Sequence, residues 1–269
     1  MTRDSAGSLR LQQAFARAKS AGRICFIPYV VAGYPDAATS EAAALAALDA
    51  GAGILEIGLP YSDPLADGVT LQRASTAALA AGATLAKSLD LVGRIAHARP
   101  DKPVVVMGYV NQFLGPPGTR IAGRLADVGA AGAIVADLTP DEGSPLEDAF
   151  TRHGLALVYL VAPTTPPDRA AWIASRSGGF VYCVSLTGVT GARQALPSRL
   201  GKLVSHVKSA SPLPVAVGFG VSRPEHVRAV ARAGADGVIV GSALVDALGM
   251  DGTDLETFAG AVSSLRAAA

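Results

Sequence analysis

The amino-acid sequence predicts an α/β protein. We expect a single (β/α)8 TIM barrel over residues 1–269, with an extra N-terminal helix and a short phosphate-binding helix after strand eight. Short apolar runs alternate along the chain with Ala- and Leu-rich segments of helical period, which is typical of parallel strands joined by crossover helices. The apolar runs are continuous, so both faces of the sheet should be buried. Eight such units in about 250 residues match the size of one barrel.

The predicted strands are short apolar runs rich in β-branched residues. They are Ile24–Val31, Ile54–Leu59, Val104–Tyr109, Ala133–Asp137, Leu155–Val161, Phe180–Ser185, Val215–Phe219 and Gly237–Val240. A doubly wound open sheet is the alternative architecture, but it usually shows a G-x-G-x-x-G fingerprint after its first strand. Here the first strand is followed by Ala-Gly-Tyr-Pro-Asp, which favours the barrel.

The helical patterns lie between these strands, and glycine follows several of them as a stop signal, for example at Gly51, Gly154 and Gly234. One helix precedes the first strand. The predicted helices are Leu9–Ser20, Ser40–Ala50, Leu85–Ala98, Ile121–Val128, Pro145–His153, Asp168–Ser175, Ser198–Ser209, Pro224–Ala233 and Leu255–Ala268.

Composition and charge exclude several classes of function. The net charge is +1 with acids and bases mixed, so no basic stripe indicates nucleic acid as a partner. Charges interrupt the apolar stretches before membrane-spanning length, and the N-terminus has no apolar signal region, which predicts a soluble cytoplasmic protein. Cys25 and Cys183 lie in strand-like runs and are expected to be buried and unpaired. The four histidines fall on helices or at their ends and are expected at the surface: His97, His153, His206 and His226.

Two carboxylates are the strongest candidates for catalysis. Glu56 stands alone among the apolar residues of the second strand, and Asp67 follows eleven residues later in a loop rich in Pro, Gly and Asp. A charged carboxylate in a buried strand is costly unless it is paired or used, and two carboxylates in different surroundings can divide acid and base roles. The structural alternative is that Glu56 pairs with a basic residue and Asp67 caps the next helix.

Three glycine clusters follow the last three strands and predict a phosphate site. They are Gly188-Val-Thr-Gly191, Gly218-Phe-Gly-Val-Ser222, and Gly241-Ser242 at the start of a helix. Backbone N–H groups at such glycines and at a helix N-terminus bind anions, and barrels commonly hold phosphate there. The long Gly/Thr-rich segment 186–197 suits a lid that closes over a ligand, although a passive loop is an alternative.

Apolar and aromatic residues in the strands or at their ends could line the barrel mouth. Beside a phosphate site they would suit a flat hydrophobic substrate with a phosphate tail, and each could equally be core. No strand carries a lysine for Schiff-base chemistry, and zinc and Ser-His-Asp patterns are absent from the sequence. The residues are Tyr29, Met107, Tyr109, Ile134, Tyr182 and Phe219.

From Phe26 to the eighth barrel unit, the sequence resembles the α subunit of tryptophan synthase. The specific motif is Leu-Glu-Ile-Gly-Leu-Pro-Tyr-Ser-Asp-Pro-Leu-Ala-Asp-Gly at 55–68, whereas the glycine motifs occur in other phosphate-binding barrels. The resemblance implies cleavage of indole-3-glycerol phosphate to indole and glyceraldehyde 3-phosphate, without cofactor or metal. It also implies an αββα complex with a pyridoxal-phosphate-bearing β subunit.

The resemblance also assigns roles to individual positions. Glu56 matches the residue that protonates indole C3 and relays the proton of the glycerol hydroxyl, and Asp67 matches the one that binds the indole N–H. Thr190 matches a lid residue that closes onto Asp67. Further matches are the substrate pocket (Tyr29, Met107, Ile134, Tyr182 and Phe219), the phosphate contacts (Gly191, Gly220, Gly241 and Ser242) and the β-subunit contacts (Pro60, Asp63 and Asn111).

The chain departs from the family pattern at two places. Val69 stands where many members have proline, which frees the backbone of the loop that carries Asp67, and the segment 192–197 is shorter than in some members. A lyase that works without a partner is therefore an alternative. Two others are a different phosphate-binding barrel, such as a sugar-phosphate isomerase, and a non-catalytic activator of a β subunit.

Overall fold

The computed structural model describes residues 4–114, 120–185, 200–218 and 220–269, apart from the side chain of Arg120. All strand pairs within these residues are parallel. The strands are β1 (Cys25–Val31), β2 (Leu55–Gly58), β3 (Val104–Gly108), β4 (Gly132–Val135), β5 (Ala156–Val158), β6 (Leu160–Val161), β7 (Val181–Val184), β8 (Val215–Gly218) and β9 (Gly237–Val240).

The sheet closes into a barrel through its fifth predicted strand. The strand order is β5-β4-β3-β2-β1-β9-β8-β7-β6, so β5 and β6 lie at its two ends and are separated in sequence by Tyr159 alone. The predicted continuous strand Leu155–Val161 is thus divided at this residue. The N–H of Tyr159 turns to the hydroxyl of Ser177 (3.0 Å), while its carbonyl accepts the N–H of Tyr182 (3.1 Å). The predicted eight-unit barrel is confirmed, with one strand in two parts.

Helices cover the outside of the barrel. The bounds of α3 and of the short α5 were not predicted; α3 buries only small residues, such as Ala74 and Ala78, and carries little helical pattern. The helices are α1 (Ala6–Ser20), α2 (Ala37–Asp49), α3 (Val69–Ala80), α4 (Leu85–Ala98), α5 (Val110–Phe113), α6 (Arg120–Asp127), α7 (Ser144–Arg152), α8 (Pro167–Arg176), α9 (Leu200–Ala210), α10 (Pro224–Arg232), α11 (Ser242–Ala247) and α12 (Leu255–Ala267).

Helix α1 lies across the N-terminal ends of the strands. A Cβ atom at Gly7 would lie 1.8 Å from the carbonyl oxygen of Ala131, so the glycine permits close contact between the helix and the start of β4. Leu11 and Phe15 are buried, and the ring of Phe15 lies 5.5 Å from that of Phe180, just before β7. Apolar burial of this kind fixes the helix over the lower end of the barrel.

Two predictions about individual side chains have different outcomes. Cys25 and Cys183 are buried and free, as predicted. His226 was expected at the surface, but it is buried. The reason is local, since its Nδ1 atom accepts the N–H of Ser222 at 3.3 Å from the loop that follows β8.

In the part of the chain that is described, no helix is both long and apolar enough to cross a lipid bilayer.

Candidate active site

A pocket opens at the C-terminal ends of the strands, between β1, β2, β3, β7 and β9 and the loops that follow β2 and β8. Most of its lining is apolar, and two carboxyl groups face it. Its lining residues are Tyr29, Glu56, Asp67, Leu71, Met107, Tyr182, Gly220, Val221, Ile239, Gly241 and Ser242.

Glu56 lies in β2 with only 1% of its surface exposed. Its backbone is in register with Tyr29 of β1 and Val105 of β3, so two parallel strands fix its position in the sheet. Its Oε2 atom has no hydrogen-bond partner and the residue forms no ion pair within the described residues, so the pairing alternative is not observed there. Burial, and then the charge of Asp67, raises the pKa of Glu56 to about 8. The carboxyl group is therefore protonated at neutral pH.

Asp67 lies in the loop between β2 and α3 and is 8% exposed. Burial raises the pKa of Asp67 to about 6, and a hydrogen bond from Tyr109 acts in the opposite direction. The helix-cap alternative is wrong, because the N-cap of α3 is Gly68 and no side chain caps it. The two carboxyl groups thus differ in charge near pH 7: Asp67 is mainly anionic while Glu56 is mainly neutral.

Two tyrosines of the pocket fit over glycines of neighbouring strands. Tyr29 is in register with Glu56, and its hydroxyl reaches Gly58 two residues further, where a Cβ atom would lie 1.9 Å away. The hydroxyl of Tyr182 reaches Gly218 in the same way, at 2.2 Å from the position of a Cβ atom. Burial and the nearby carboxyl groups raise the pKa of both tyrosines, so they remain neutral. These glycines leave room for the rings that shape the pocket.

Backbone groups border the opposite side of the pocket. Gly220 has φ of +73°, a conformation that favours glycine. Helix α11 begins at Ser242 after Gly241, and no side chain caps its first turn. The first N–H groups of a helix lack partners four residues earlier, and Gly241 and Ser242, at the start of α11, line the pocket.

The structure brings together eight of the predicted site residues: Tyr29, Glu56, Asp67, Met107, Tyr182, Gly220, Gly241 and Ser242. Ile134 is in register with Met107 in the adjacent strand, but it is fully buried and is not among the residues that line the pocket. The predicted partner contacts also lie outside it: Pro60 is buried, and Asp63 and Asn111 are exposed. Thr190, Gly191 and Phe219 lie outside the described residues.

Sequence reasoning missed three apolar lining residues, Leu71, Val221 and Ile239. Leu71 lies on α3, a helix with little sequence signal, Val221 follows a glycine in the cluster 218–222, and Ile239 resembles an ordinary core residue of the last strand. The region that is described contains no group of three or more His, Cys, Asp or Glu residues that could hold a metal ion.

Comparison with known proteins agrees with this arrangement. The family model described as tryptophan synthase alpha chain matches residues 15–267. A tryptophan synthase alpha chain of Chloroflexus aggregans is 44% identical over 239 residues, with 89% of each chain covered. That of Gloeobacter violaceus is 46% identical over 239 residues, with 89% of this chain and 86% of that chain covered.

Solved structures give the same result. A chain of Mycobacterium tuberculosis tryptophan synthase superposes with a TM-score of 0.89 at 40% identity, over 96% of this chain and 97% of that one. A mutant tryptophan synthase alpha subunit of Pyrococcus furiosus gives 0.82 at 35% identity, over 90% of this chain and 98% of that one. This chain therefore belongs to the tryptophan synthase alpha chain family.

Proposed function

We propose that Glu56 and Asp67 are the two catalytic carboxyl groups with which this protein cleaves indole-3-glycerol phosphate to indole and glyceraldehyde 3-phosphate. Membership of the family makes the protein a carbon–carbon lyase of this kind. The observation that supports the two roles is the pair of carboxyl groups with different pKa values on one apolar pocket. No step of the proposed reaction requires a metal or an organic cofactor.

The neutral carboxyl group of Glu56 is suited to act as the acid. It transfers its proton to C3 of the indole ring, which becomes an indoleninium cation. The bond between C3 and the first glycerol carbon then breaks, and its electron pair returns to the ring. That carbon becomes an aldehyde as its hydroxyl proton passes to the Glu56 carboxylate, which restores the acid.

Asp67 is suited to stabilise the charge that develops in this step. Its carboxylate would accept a hydrogen bond from the ring N–H, whose acidity rises in the cation, inside a largely apolar pocket where such an interaction is strong. Tyr29, Met107, Leu71 and Ile239 provide the apolar surface for the ring. The phosphate would bind the backbone N–H groups at Gly220, Gly241 and Ser242.

The decisive experiment is to incubate the purified protein with indole-3-glycerol phosphate and to assay indole. We expect release of indole by the wild-type chain. If the chain releases no indole, either alone or with a tryptophan synthase β subunit, the proposed reaction is refuted. The alternative is then another kind of phosphate-binding barrel. A non-catalytic activator would stimulate a β subunit equally well after the change Glu56→Gln.

A β subunit is the partner proposed for the rim of the pocket. Large apolar side chains are exposed there, which is unusual unless a partner covers them: Leu65 is 92%, Val69 72% and Leu114 43% exposed. They lie beside Asp63 and Asn111, which match partner contacts of the family. A partner seated on this face would contact the loop that carries Asp67 and could bias its conformation.

Titration with a cognate β subunit tests this partnership. We expect indole release to increase at least about tenfold at saturation, which corresponds to about 1.4 kcal/mol in the barrier. The change Leu65→Asp places a charge in the proposed contact and should weaken the response, whereas Leu9→Asp, at an exposed apolar side chain of α1 at the other end of the barrel, serves as the matched control. No increase with the wild-type chain, together with typical enzymatic turnover alone, would favour a free-standing lyase.

The two pKa values predict the dependence of the reaction on pH. Asp67 must be anionic and Glu56 protonated, so kcat/KM should fall below about pH 6 and above about pH 8. Because the two carboxyl groups interact, the two apparent pKa values describe the pair and not either residue alone. We expect a bell-shaped profile for the free enzyme, and a kcat/KM that keeps rising above pH 8 would contradict Glu56 as the acid.

We also propose a cytoplasmic location. The two free cysteines are compatible with a reducing compartment.

A further inference from the structure

The loop that carries Asp67 is fastened to helix α5 by aromatic and polar contacts outside the pocket lining. The hydroxyl of Tyr109, at the N-cap of α5, accepts the N–H of Ala66 at 3.0 Å. The ring of Tyr61 stacks on the ring of Tyr109, with centroids 5.2 Å apart and planes inclined by 23°. Tyr109 thus holds the loop that carries Asp67 at two of its residues, Tyr61 and Ala66.

Helix α5 reinforces this contact from its own side. The side-chain amide of Asn111 donates to the hydroxyl of Tyr61 at 2.9 Å. Gln112 donates to the carbonyl of Pro60 at 3.1 Å and accepts the N–H of Tyr109 at 3.0 Å. The loop is therefore joined to the helix near both ends of the loop, at Pro60 and beside Asp67.

The hydroxyl of Tyr109 can also donate a hydrogen bond. The residue is 5% exposed, and the Ala66 N–H occupies one lone pair of its oxygen, so its own proton is free to be donated. Burial and the charge of Asp67 raise the pKa of Tyr109, which keeps that proton on the oxygen. The hydrogen bond to the carboxylate lowers the pKa of Asp67, against the effect of burial.

We propose that Tyr109 is a positioning residue for Asp67: its hydroxyl accepts the Ala66 N–H and donates to the Asp67 carboxylate, while Tyr61 and Asn111 hold its ring in place. This inference rests on the proposed function and goes beyond it. It assigns to an aromatic residue beside the pocket the task of keeping Asp67 charged and directed at the substrate. It also connects Asn111, on the rim proposed to meet a partner, with Asp67 through Tyr61 and Tyr109.

The change Tyr109→Phe removes the hydroxyl and keeps the ring. We expect kcat to fall about tenfold or more, as for loss of a hydrogen bond to a charged group. The acidic limb of the kcat/KM profile should move to higher pH, since Asp67 loses a donor, while the basic limb stays in place. A loss that is equal at all pH values, with no movement of the acidic limb, would show a merely structural role and overturn the proposal.

Two further variants distinguish the effect of the Tyr109 hydroxyl on the pH profile from general effects on folding. Tyr61→Leu removes the stacked ring and should shift the acidic limb in the same direction, by less than Tyr109→Phe. Tyr34→Phe is the matched control, since the buried Tyr34 hydroxyl has no hydrogen-bond partner among the described residues. We expect that control to keep the wild-type profile, and a shift as large as that of Tyr109→Phe would contradict the assignment.

A measurement without turnover keeps this inference distinct from the proposed function. The pKa of Asp67 can be followed by NMR of protein carrying ¹³C-labelled aspartate, with the signal identified from its absence in Asp67→Asn. We expect a higher pKa in Tyr109→Phe than in wild type, whether or not the chain releases indole. Equal pKa values would overturn the positioning role even if the lyase reaction is established.

Discussion

Replacing Glu56 with Gln is expected to reduce indole release by about 10²-fold or more while the chain remains folded. Gln has nearly the same shape as Glu but cannot donate a proton to C3 or receive one from the glycerol hydroxyl. We expect the fold to stay intact because Glu56 forms no ion pair within the described residues. One of its carboxyl oxygens also already lacks a hydrogen-bond partner there. Activity within a few-fold of wild type would refute the assignment of the acid.

The same variant should show a characteristic dependence of stability on pH. Burial raises the pKa of Glu56 from 4.5 to about 8, so the folded state binds the proton more tightly than the unfolded state. The free energy of unfolding of the wild-type chain therefore falls between these two pH values, and Gln removes this loss. We expect Glu56→Gln to gain stability relative to wild type as the pH rises, by a few kcal/mol, at about 1.4 kcal/mol per pKa unit.

Urea unfolding at several pH values measures this difference. The matched control is Glu41→Gln, which removes a surface carboxylate paired with Arg94. Exposed ion pairs contribute little, so this variant should stay within about 0.5 kcal/mol of wild type. If Glu56→Gln and Glu41→Gln follow the same pH dependence, Glu56 is not a buried neutral acid.

Replacing Gly58 with Ala is expected to have the second largest effect. The new methyl group would lie 1.9 Å from the hydroxyl oxygen of Tyr29, which no real contact permits, so the ring must move. Overpacking of this kind typically costs about 1–3 kcal/mol in stability. Because Tyr29 lines the pocket and is in register with Glu56, we also expect a loss of about 10²-fold in kcat/KM, as for a displaced active-site group.

The control for this variant is Gly260→Ala in helix α12, where an added Cβ atom would contact nothing within 4 Å. In a helix interior that change should stabilise by about 1 kcal/mol or less and leave the rate unaltered. Thermal unfolding and indole release measure both quantities. A Gly58→Ala variant with wild-type kcat/KM would show that the ring of Tyr29 does not shape the site.

The barrel was predictable from sequence because its signal is periodic. Strands that are buried on both faces must be continuous apolar runs, and helices on the outside must repeat at 3.6 residues. The division of one strand at Tyr159 was not predictable, since Leu155–Val161 is apolar throughout and the interruption depends on Ser177, eighteen residues further along the chain. The bounds of α3 were missed because that helix packs with alanine and serine.

The candidate site was predictable only in part for a related reason. Glu56 and Asp67 are conspicuous because carboxyl groups are unusual in their surroundings, and glycines mark the strand ends. The burial of His226 depends on a loop contact to Ser222, which a helical pattern does not encode. The link of Tyr109 to Ala66 joins residues 43 positions apart, and only the register of β2 and β3 brings them together.

Helix α1 covers the N-terminal ends of the barrel strands. Within the described residues, Leu11, Phe15 and the close contact at Gly7 close this lower end, and the pocket that holds Glu56 and Asp67 opens at the other end. The exposed Leu65 and Val69 flank Asp67 in sequence at this open end. A protein seated on these two side chains would therefore stand between the mouth of the pocket and bulk water.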